Sequence, residues 1–108
     1  MMTTLKLLAA AALLAAGTAH AANLDAGKQK AQEVCQACHG MDGNSPLPDN
    51  PKLAGQNPDY LAKALRDYKS GARKNPVMGA MASGLTTQDI DNVAAYFGSQ
   101  PPVLKSRY

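Results

Sequence analysis

The chain is poor in the large apolar side chains that usually fill a protein core. Its 108 residues include no Trp and one Phe, and the aliphatic residues after position 22 are mostly Ala with a few Leu and Val. A domain of this size has only a marginal hydrophobic core, and such domains are commonly stabilised further by a covalent cross-link or a bound group. The scarcity of core-forming residues therefore predicts a buried prosthetic group that supplies the missing apolar contacts.

Long hydrophobic runs are also absent. The apolar run 7–16 has 10 residues, whereas a membrane-spanning helix needs about 20. The run follows a short basic opening that ends at Lys6, and it precedes the small-x-small cleavage pattern Ala-His-Ala at 19–21. This arrangement is typical of a secretory signal peptide; an uncleaved anchor and a buried Ala-rich helix are the alternatives.

We therefore predict that residues 1–22 are a signal peptide, cleaved after Ala21 or Ala22. Residues 23–108 would then form one domain, since a typical domain holds roughly 100 to 150 residues. The exported chain would be periplasmic and would keep no membrane span.

The excess of positive charge is small. The formal net charge is +3, and it would fall to +2 without Lys6, the single charged side chain of the predicted leader. No face of clustered Lys and Arg with interleaved aromatic residues is evident, as nucleic-acid binding would require. Nucleic acid is therefore excluded as a partner.

No stretch alternates apolar and polar residues as a half-buried strand does, which predicts an all-α fold. Asp25 is predicted to cap a first helix over 25–38. Asn57 is a good N-cap and Pro58 suits the first helical position, so a second helix is predicted over 58–70.

A third helix is predicted over 86–97, where Thr86 and Asp89 can cap each other's backbone groups. The segments 40–57 and 73–84 lack a periodic apolar pattern and are predicted to be irregular loops. The apolar face of the third helix consists of Ile90, Val93, Ala94 and Phe97.

Residues 35–39 read Cys-Gln-Ala-Cys-His, which is the C-x-x-C-H pattern of covalent haem attachment. Two cysteines three positions apart near a helix end can reach both vinyl groups of one porphyrin as thioethers. The adjacent histidine then lies beneath the iron. The motif predicts one haem c, attached through Cys35 and Cys38, with His39 as an iron ligand.

Three other interpretations of this motif are weaker. A structural zinc site normally needs four Cys or His ligands, and the predicted mature chain offers only Cys35, Cys38 and His39. A redox dithiol of the thioredoxin kind would need a β-α-β context, which the sequence lacks. A disulfide across two intervening helical residues would be strained and would leave the histidine unexplained.

The residues alone leave several candidates for the sixth iron ligand. His20 lies in the predicted leader, which excludes a second histidine ligand within one mature chain. Met, Lys, water or an open position remain, and a Met thioether raises the reduction potential as an electron carrier needs. Met41 lies too near His39 to reach the opposite haem face, whereas Met78 and Met81 both lie in the later loop.

These motifs together resemble a known family, the small bacterial class I c-type cytochromes, and especially one half of the two-haem periplasmic members. The resemblance implies a small all-α fold in which three main helices and loops surround a covalently bound haem. The similar segments cover nearly the whole predicted domain: Ala26-Gly27, 35–40, 42–46, 51–56, Tyr60-Leu61, Val77-Met78 and 94–97.

The resemblance also implies roles for further residues. In that family the ligand methionine precedes by seven residues the Leu that leads into the last helix, an interval that Met78 and Leu85 match and Met81 does not. The carbonyl of the Pro in Pro-x-Leu-x-Gly accepts the Nδ1 hydrogen of the iron-ligating histidine, which implies this role for Pro51. Leu53 is implied to pack on the haem.

The first and last helices of such cytochromes cross closely, which implies that Gly27 contacts Val93 and Tyr96. Ala31 stands where longer members often have a bulky aromatic residue, so the crossing would lack that side chain. A basic run around the end of the second helix is usually a solvated face; it could instead guide an acidic redox partner or lie near a haem propionate. The run consists of Arg66, Lys69, Arg73 and Lys74.

The resulting functional prediction is a soluble electron-transfer protein of a respiratory chain and not an enzyme. A catalytic haem needs an open iron position with acid-base groups above it, and such groups are scarce here. The implied partners are redox proteins such as a membrane oxidase or reductase complex, and the chain would be a monomer or a weak dimer. The alternatives are a gas-binding haem sensor and a cytochrome subunit of a dehydrogenase or oxidase complex.

Overall fold

The computed structural model describes residues 21–104, and every regular element in that range is helical. The all-α prediction is therefore confirmed for these residues, whereas the predicted signal peptide lies almost wholly outside them. No helix within the described range has the length and hydropathy needed to cross a membrane. The elements in chain order are α1 (Leu24–Lys30), a π-helical turn (Ala31–Cys35), α2 (Gln36–His39), α3 (Pro58–Ser70), α4 (Pro76–Ser83) and α5 (Thr87–Gly98).

The first helical stretch begins earlier than predicted. Its cap is Asn23, whose side chain accepts a hydrogen bond from the backbone N–H of Ala26 at 3.0 Å. Asp25 lies inside the first turn, where its negative charge interacts favourably with the helix dipole. The prediction that Asp25 is the cap was therefore wrong, because either Asx side chain suits that role and the one nearer the N-terminus is used. The stretch ends at Gly40, whose φ of +79° suits a residue without Cβ.

Helix α4 replaces an expected loop. The prediction of an irregular segment over 73–84 was wrong between Pro76 and Ser83. Asn75 caps this helix by accepting hydrogen bonds at 3.0 Å from the backbone N–H groups of Val77 and Met78. The helix contains no charged residue, so it has no polar face that would make its period visible in the sequence.

Helix α5 forms the centre of the core. The predicted reciprocal cap is present, since the Thr86 hydroxyl accepts from the Asp89 N–H and the Asp89 carboxylate accepts from the Thr86 N–H, each at 3.0 Å. The helix packs against both α1 and α3, and α3 packs against α4. The predicted apolar face is fully buried, as the exposed fractions of Ile90, Val93, Ala94 and Phe97 show: 1%, 2%, 1% and 1%.

Helices α1 and α5 touch at Gly27. A Cβ atom at this position would lie 2.1 Å from the carbonyl oxygen of Asn92 and 2.9 Å from Cβ of Tyr96. The expected contact with Tyr96 is present, and the nearest atoms belong to the backbone of Asn92. The Asn92 side chain also accepts a hydrogen bond at 2.9 Å from the backbone N–H of Asn23, which ties the start of α1 to α5.

Replacing Gly27 with Ala is therefore expected to separate the two helices. The obstacle is backbone, which cannot rotate away, so we expect a loss of about 3 kcal/mol in the free energy of unfolding of the holoprotein. Denaturant unfolding would measure it. Gly79→Ala in α4 is the matched control, because its Cβ would meet nothing nearer than 3.8 Å and Ala in a helix interior is favoured by roughly 0.5–1 kcal/mol. Equal stability of the two variants would contradict the close crossing.

Candidate functional site

His39 is the buried end of the first helical stretch, with 7% of its surface exposed. Its Nδ1 lies 2.9 Å from the carbonyl oxygen of Pro51. A carbonyl can only accept, so Nδ1 holds the proton and donates it. The expected hydrogen bond is thus present. In the neutral ring this hydrogen bond places the proton on Nδ1 and leaves Nε2 as the nitrogen that can ligate a metal.

The two cysteines of the motif differ in environment. Cys38 is exposed, Cys35 is partly buried, and the two sulfurs are not joined in a disulfide. Burial raises the pKa of the Cys35 thiol to about 11, since the charged thiolate is poorly solvated there. A thioether does not ionise and tolerates the same burial at no electrostatic cost. Among residues 21–104, no group of three or more His, Cys, Asp or Glu side chains could hold a metal ion.

Two cavities adjoin this motif, with volumes of about 220 Å³ and about 250 Å³. They share six lining residues, which makes them two sides of one site. All six predicted site residues line one or both sides: four line both, Leu53 lines only the first and Cys38 lines only the second. The shared residues are Cys35, His39, Pro51, Leu65, Tyr68 and Met78.

The three methionines occupy different places relative to this site. Met78 lines both cavities. Met81 lines the second cavity only, and 45% of its surface is exposed. Met41 packs against the hydrophobic core, and its carbonyl accepts a hydrogen bond from the Tyr96 hydroxyl at 2.8 Å. Leu53 packs against the same core and lines the first cavity.

Helix α3 supplies lining residues that sequence reasoning assigned no functional role. Leu61, Leu65 and Tyr68 face the first cavity from this helix, and the latter two also face the second. Their helical spacing identifies an apolar face, but spacing alone does not distinguish a face that contacts protein from one that contacts a cofactor. The cap of α3 is as predicted, since Asn57 accepts from the backbone N–H of Asp59 at 2.8 Å.

The charged side chains that line the two cavities have opposite signs. Lys52 and Arg73 line the first cavity, which has no Asp or Glu among its described lining residues, whereas Asp49 lines the second. The Arg73 guanidinium lies 4.8 Å from the centroid of the Tyr68 ring. It also donates a hydrogen bond to the Tyr60 hydroxyl at 3.5 Å. That hydrogen bond is the main cause that raises the pKa of Arg73.

The residues present fit a covalently attached haem. The two cavities together fall within the range of about 300–1,000 Å³ that is usual for cofactor pockets. Their lining is largely apolar, and it includes the groups that a covalently bound haem requires: two thiols, one imidazole and the thioether of Met78. Imidazole nitrogen and thioether sulfur are iron ligands in haem proteins, and thiols near a helix end can form thioethers with the porphyrin.

Comparison with known proteins places this geometry in a family. A family model described as Cytochrome c matches residues 24–100. Cytochrome c4 of Pseudomonas aeruginosa is 50% identical over 84 residues, which are 78% of this chain and 42% of that protein. The cytochrome subunit of sulfide dehydrogenase of Chlorobaculum tepidum is 38% identical over 104 residues, which are 86% of this chain and 94% of that protein.

A solved structure extends the comparison to three dimensions. The crystal structure of reduced recombinant cytochrome c4 from Pseudomonas stutzeri superposes with a TM-score of 0.72 at 45% identity, covering 78% of this chain and 48% of that one. The chain thus spans about half or less of the length of the cytochrome c4 proteins it matches. The predicted class I fold and the resemblance to one half of a two-haem protein are confirmed.

Proposed function

The chain belongs to the cytochrome c family, and we propose on that premise that it transfers single electrons between redox proteins. Its cofactor is covalently bound haem c. The observation that supports the proposal best is the position of His39 and Met78, since both line the two adjoining cavities beside the C-x-x-C-H cysteines. One imidazole and one thioether on a single site form the ligand pair of a high-potential haem.

When bound, the haem supplies an iron that alternates between the ferrous and ferric states by gaining and losing one electron. The chain's own residues set the conditions for that change. Cys35 and Cys38 would hold the group as thioethers, and the Nε2 of His39 would ligate the iron while Nδ1 donates to the Pro51 carbonyl at 2.9 Å. That hydrogen bond fixes the ring orientation and raises the basicity of the ligand.

Met78 is proposed as the second axial ligand. Its thioether is a soft ligand that favours ferrous iron and raises the reduction potential. Leu53 lines the first cavity from the loop before α3, where it would pack on the haem. His39 and Met78 together would leave no open position on the iron for a substrate, so we propose a carrier and not an enzyme or a gas sensor.

We further propose that the chain is exported to the periplasm after cleavage behind Ala21 or Ala22. The basic opening, the 10-residue apolar run and the Ala-His-Ala pattern support this proposal. Mass determination of the N-terminus of the exported protein tests it. An intact N-terminus at Met1 on the mature protein would contradict cleavage.

A second candidate is the same electron transfer performed as a subunit of a dehydrogenase. The Chlorobaculum tepidum relative is the cytochrome subunit of a sulfide dehydrogenase, and the match covers 94% of that protein. Size-exclusion chromatography of untagged protein from periplasmic extract distinguishes the two. Elution as a monomer or weak dimer favours the free carrier, and co-elution with a dehydrogenase activity favours the subunit.

The proposed function is tested by a spectroelectrochemical titration of the exported holoprotein. The expected result is one reversible wave that fits a one-electron Nernst curve, on a chain whose mass has increased by one haem. A chain without covalent haem, or a wave that needs more than one electron, would overturn the proposal.

A further inference from the structure

The loop that carries Pro51, residues 46–52, has few connections to the rest of the chain. Its positions 46, 48 and 51 are proline, which has no N–H to donate. Among the described residues, two hydrogen bonds join this loop to the chain beyond its immediate neighbours: the His39 ring donates to the Pro51 carbonyl, and Lys52 donates to the Val103 carbonyl. Pro51 is exposed, so water competes for its carbonyl whenever the loop moves. The hydrogen bond that fixes the His39 ring therefore depends on what holds the loop.

The second of these connections leads to the segment that follows α5. The Nζ of Lys52 lies 2.7 Å from the Val103 carbonyl oxygen. Asn44, which lies just before the loop, makes two further hydrogen bonds to the same segment. Its Nδ2 donates to the Pro101 carbonyl at 3.1 Å, and its Oδ1 accepts from the Val103 N–H at 2.7 Å. One side-chain amide thus pairs with both a carbonyl and an N–H of this segment, which uses its donor and its acceptor together.

The same segment also contacts the chain on the far side of the loop. A Cβ atom on Gly55 would lie 2.9 Å from Cδ of Pro102, so the proline ring packs directly on the backbone there. Pro101 and Pro102 have φ angles fixed by their rings, and the segment therefore loses little conformational entropy when it docks. Residues 101–103 thus join the two ends of the loop, at Asn44 and at Gly55, and bind its last residue in between.

We propose that residues 101–103 form a strap that holds the Pro51 carbonyl against His39, with Asn44 as the residue that positions the strap. The assignment rests on the proposed function, in which His39 ligates the iron. With the strap in place, the His39 ring keeps one orientation and its proton stays on Nδ1 while the iron gains and loses an electron. The segment after α5 then acts on the iron through Lys52, Pro51 and His39 without touching the cofactor.

The test measures how fast the Nδ1 hydrogen of His39 exchanges with solvent, because exchange requires the hydrogen bond to Pro51 to open. Proton NMR of the ferrous holoprotein follows it. Asn44→Ala removes both side-chain hydrogen bonds to the strap, changes no charge and alters no cavity-lining residue. Loss of two such bonds should make the exchange about tenfold faster.

Ser70→Ala is the matched control. The Ser70 hydroxyl also makes two exposed hydrogen bonds, to the Asp67 carbonyl and from the Ala72 N–H, and Ser70 lines neither cavity. Its loss should lower the global stability by a similar amount. Because these bonds lie at the end of α3 and not on the loop, the exchange of the His39 hydrogen should stay within about twofold of wild type.

A second variant breaks the same link from the strap. Val103→Pro removes the N–H that Asn44 accepts and keeps the carbonyl that Lys52 uses. It should speed the exchange about threefold, since one of the two bonds is lost. The double variant with Asn44→Ala should exchange no faster than Asn44→Ala alone, because both substitutions act on one contact.

Wild-type exchange in Asn44→Ala overturns the strap, and so does an additive double variant. Equal acceleration in Ser70→Ala overturns it as well, because the hydrogen would then exchange only through global unfolding. Failure of the proposed function would appear separately, as high-spin iron in the wild-type protein.

Discussion

Replacing Cys35 and Cys38 together with Ser is expected to abolish the holoprotein. The chain has one Phe and no Trp, and the two cavities beside the motif have volumes of about 220 Å³ and about 250 Å³. An unfilled apolar cavity of this size is strongly destabilising, because the surrounding side chains lose their packing partners. Without thioether bonds the haem would be held by axial ligands alone, in a chain whose core depends on it.

The measurement is a haem stain of exported protein after denaturing electrophoresis, together with the yield of soluble chain. The double variant should give no stained band and little soluble protein. Ser83→Ala on α4 is a suitable control, since Ser83 is exposed, lines neither cavity and takes part in no attachment. A stained band of wild-type intensity from the double variant would show that haem is attached elsewhere.

Replacing Met78 with Ala is expected to keep the haem attached but to lower the reduction potential strongly. The attachment residues are untouched, whereas the soft ligand that favours ferrous iron is lost. Axial ligands span about 0.8 V in haem proteins, and loss of one thioether should cost on the order of 0.2 V. Redox titration measures the change, and the vacant position should also bind carbon monoxide.

Met81→Ala is the matched control for this ligand assignment. Met81 lies one helical turn further along α4, lines only the second cavity and is 45% exposed. Its loss should change the potential little and leave the iron closed to carbon monoxide. The opposite ranking of the two variants would transfer the ligand role to Met81.

The sequence predicted those parts of the fold that depend on local signals. Helices α3 and α5 have an N-cap and a periodic apolar face within the same dozen residues, so both were found with nearly correct bounds. Helix α4 was missed because its eight residues include no charge. Asn75-Pro76 is the same kind of helix-start signal as Asn57-Pro58, and it predicts a helix that begins at Pro76.

The sequence likewise predicted only those site residues that have a local signal. Cys35, Cys38 and His39 were found because their chemistry fixes their spacing within five residues. Tyr68 was assigned no role and Arg73 was named only as one of four cations in a basic run, because their relation to the cavity depends on how α3 packs against α4 and on the course of the chain after α3. A position that tertiary packing determines has no local signal, and the basic run around α3 shows only that a cation is available.

The central claim is that the iron of this protein is closed on both sides by His39 and Met78, and the optical spectrum of the exported holoprotein tests it most directly. The account predicts sharp low-spin bands in the ferrous protein and a weak far-red sulfur-to-iron band in the ferric protein. A high-spin spectrum, or ready binding of carbon monoxide by the wild-type protein, would show an open iron position and contradict the account.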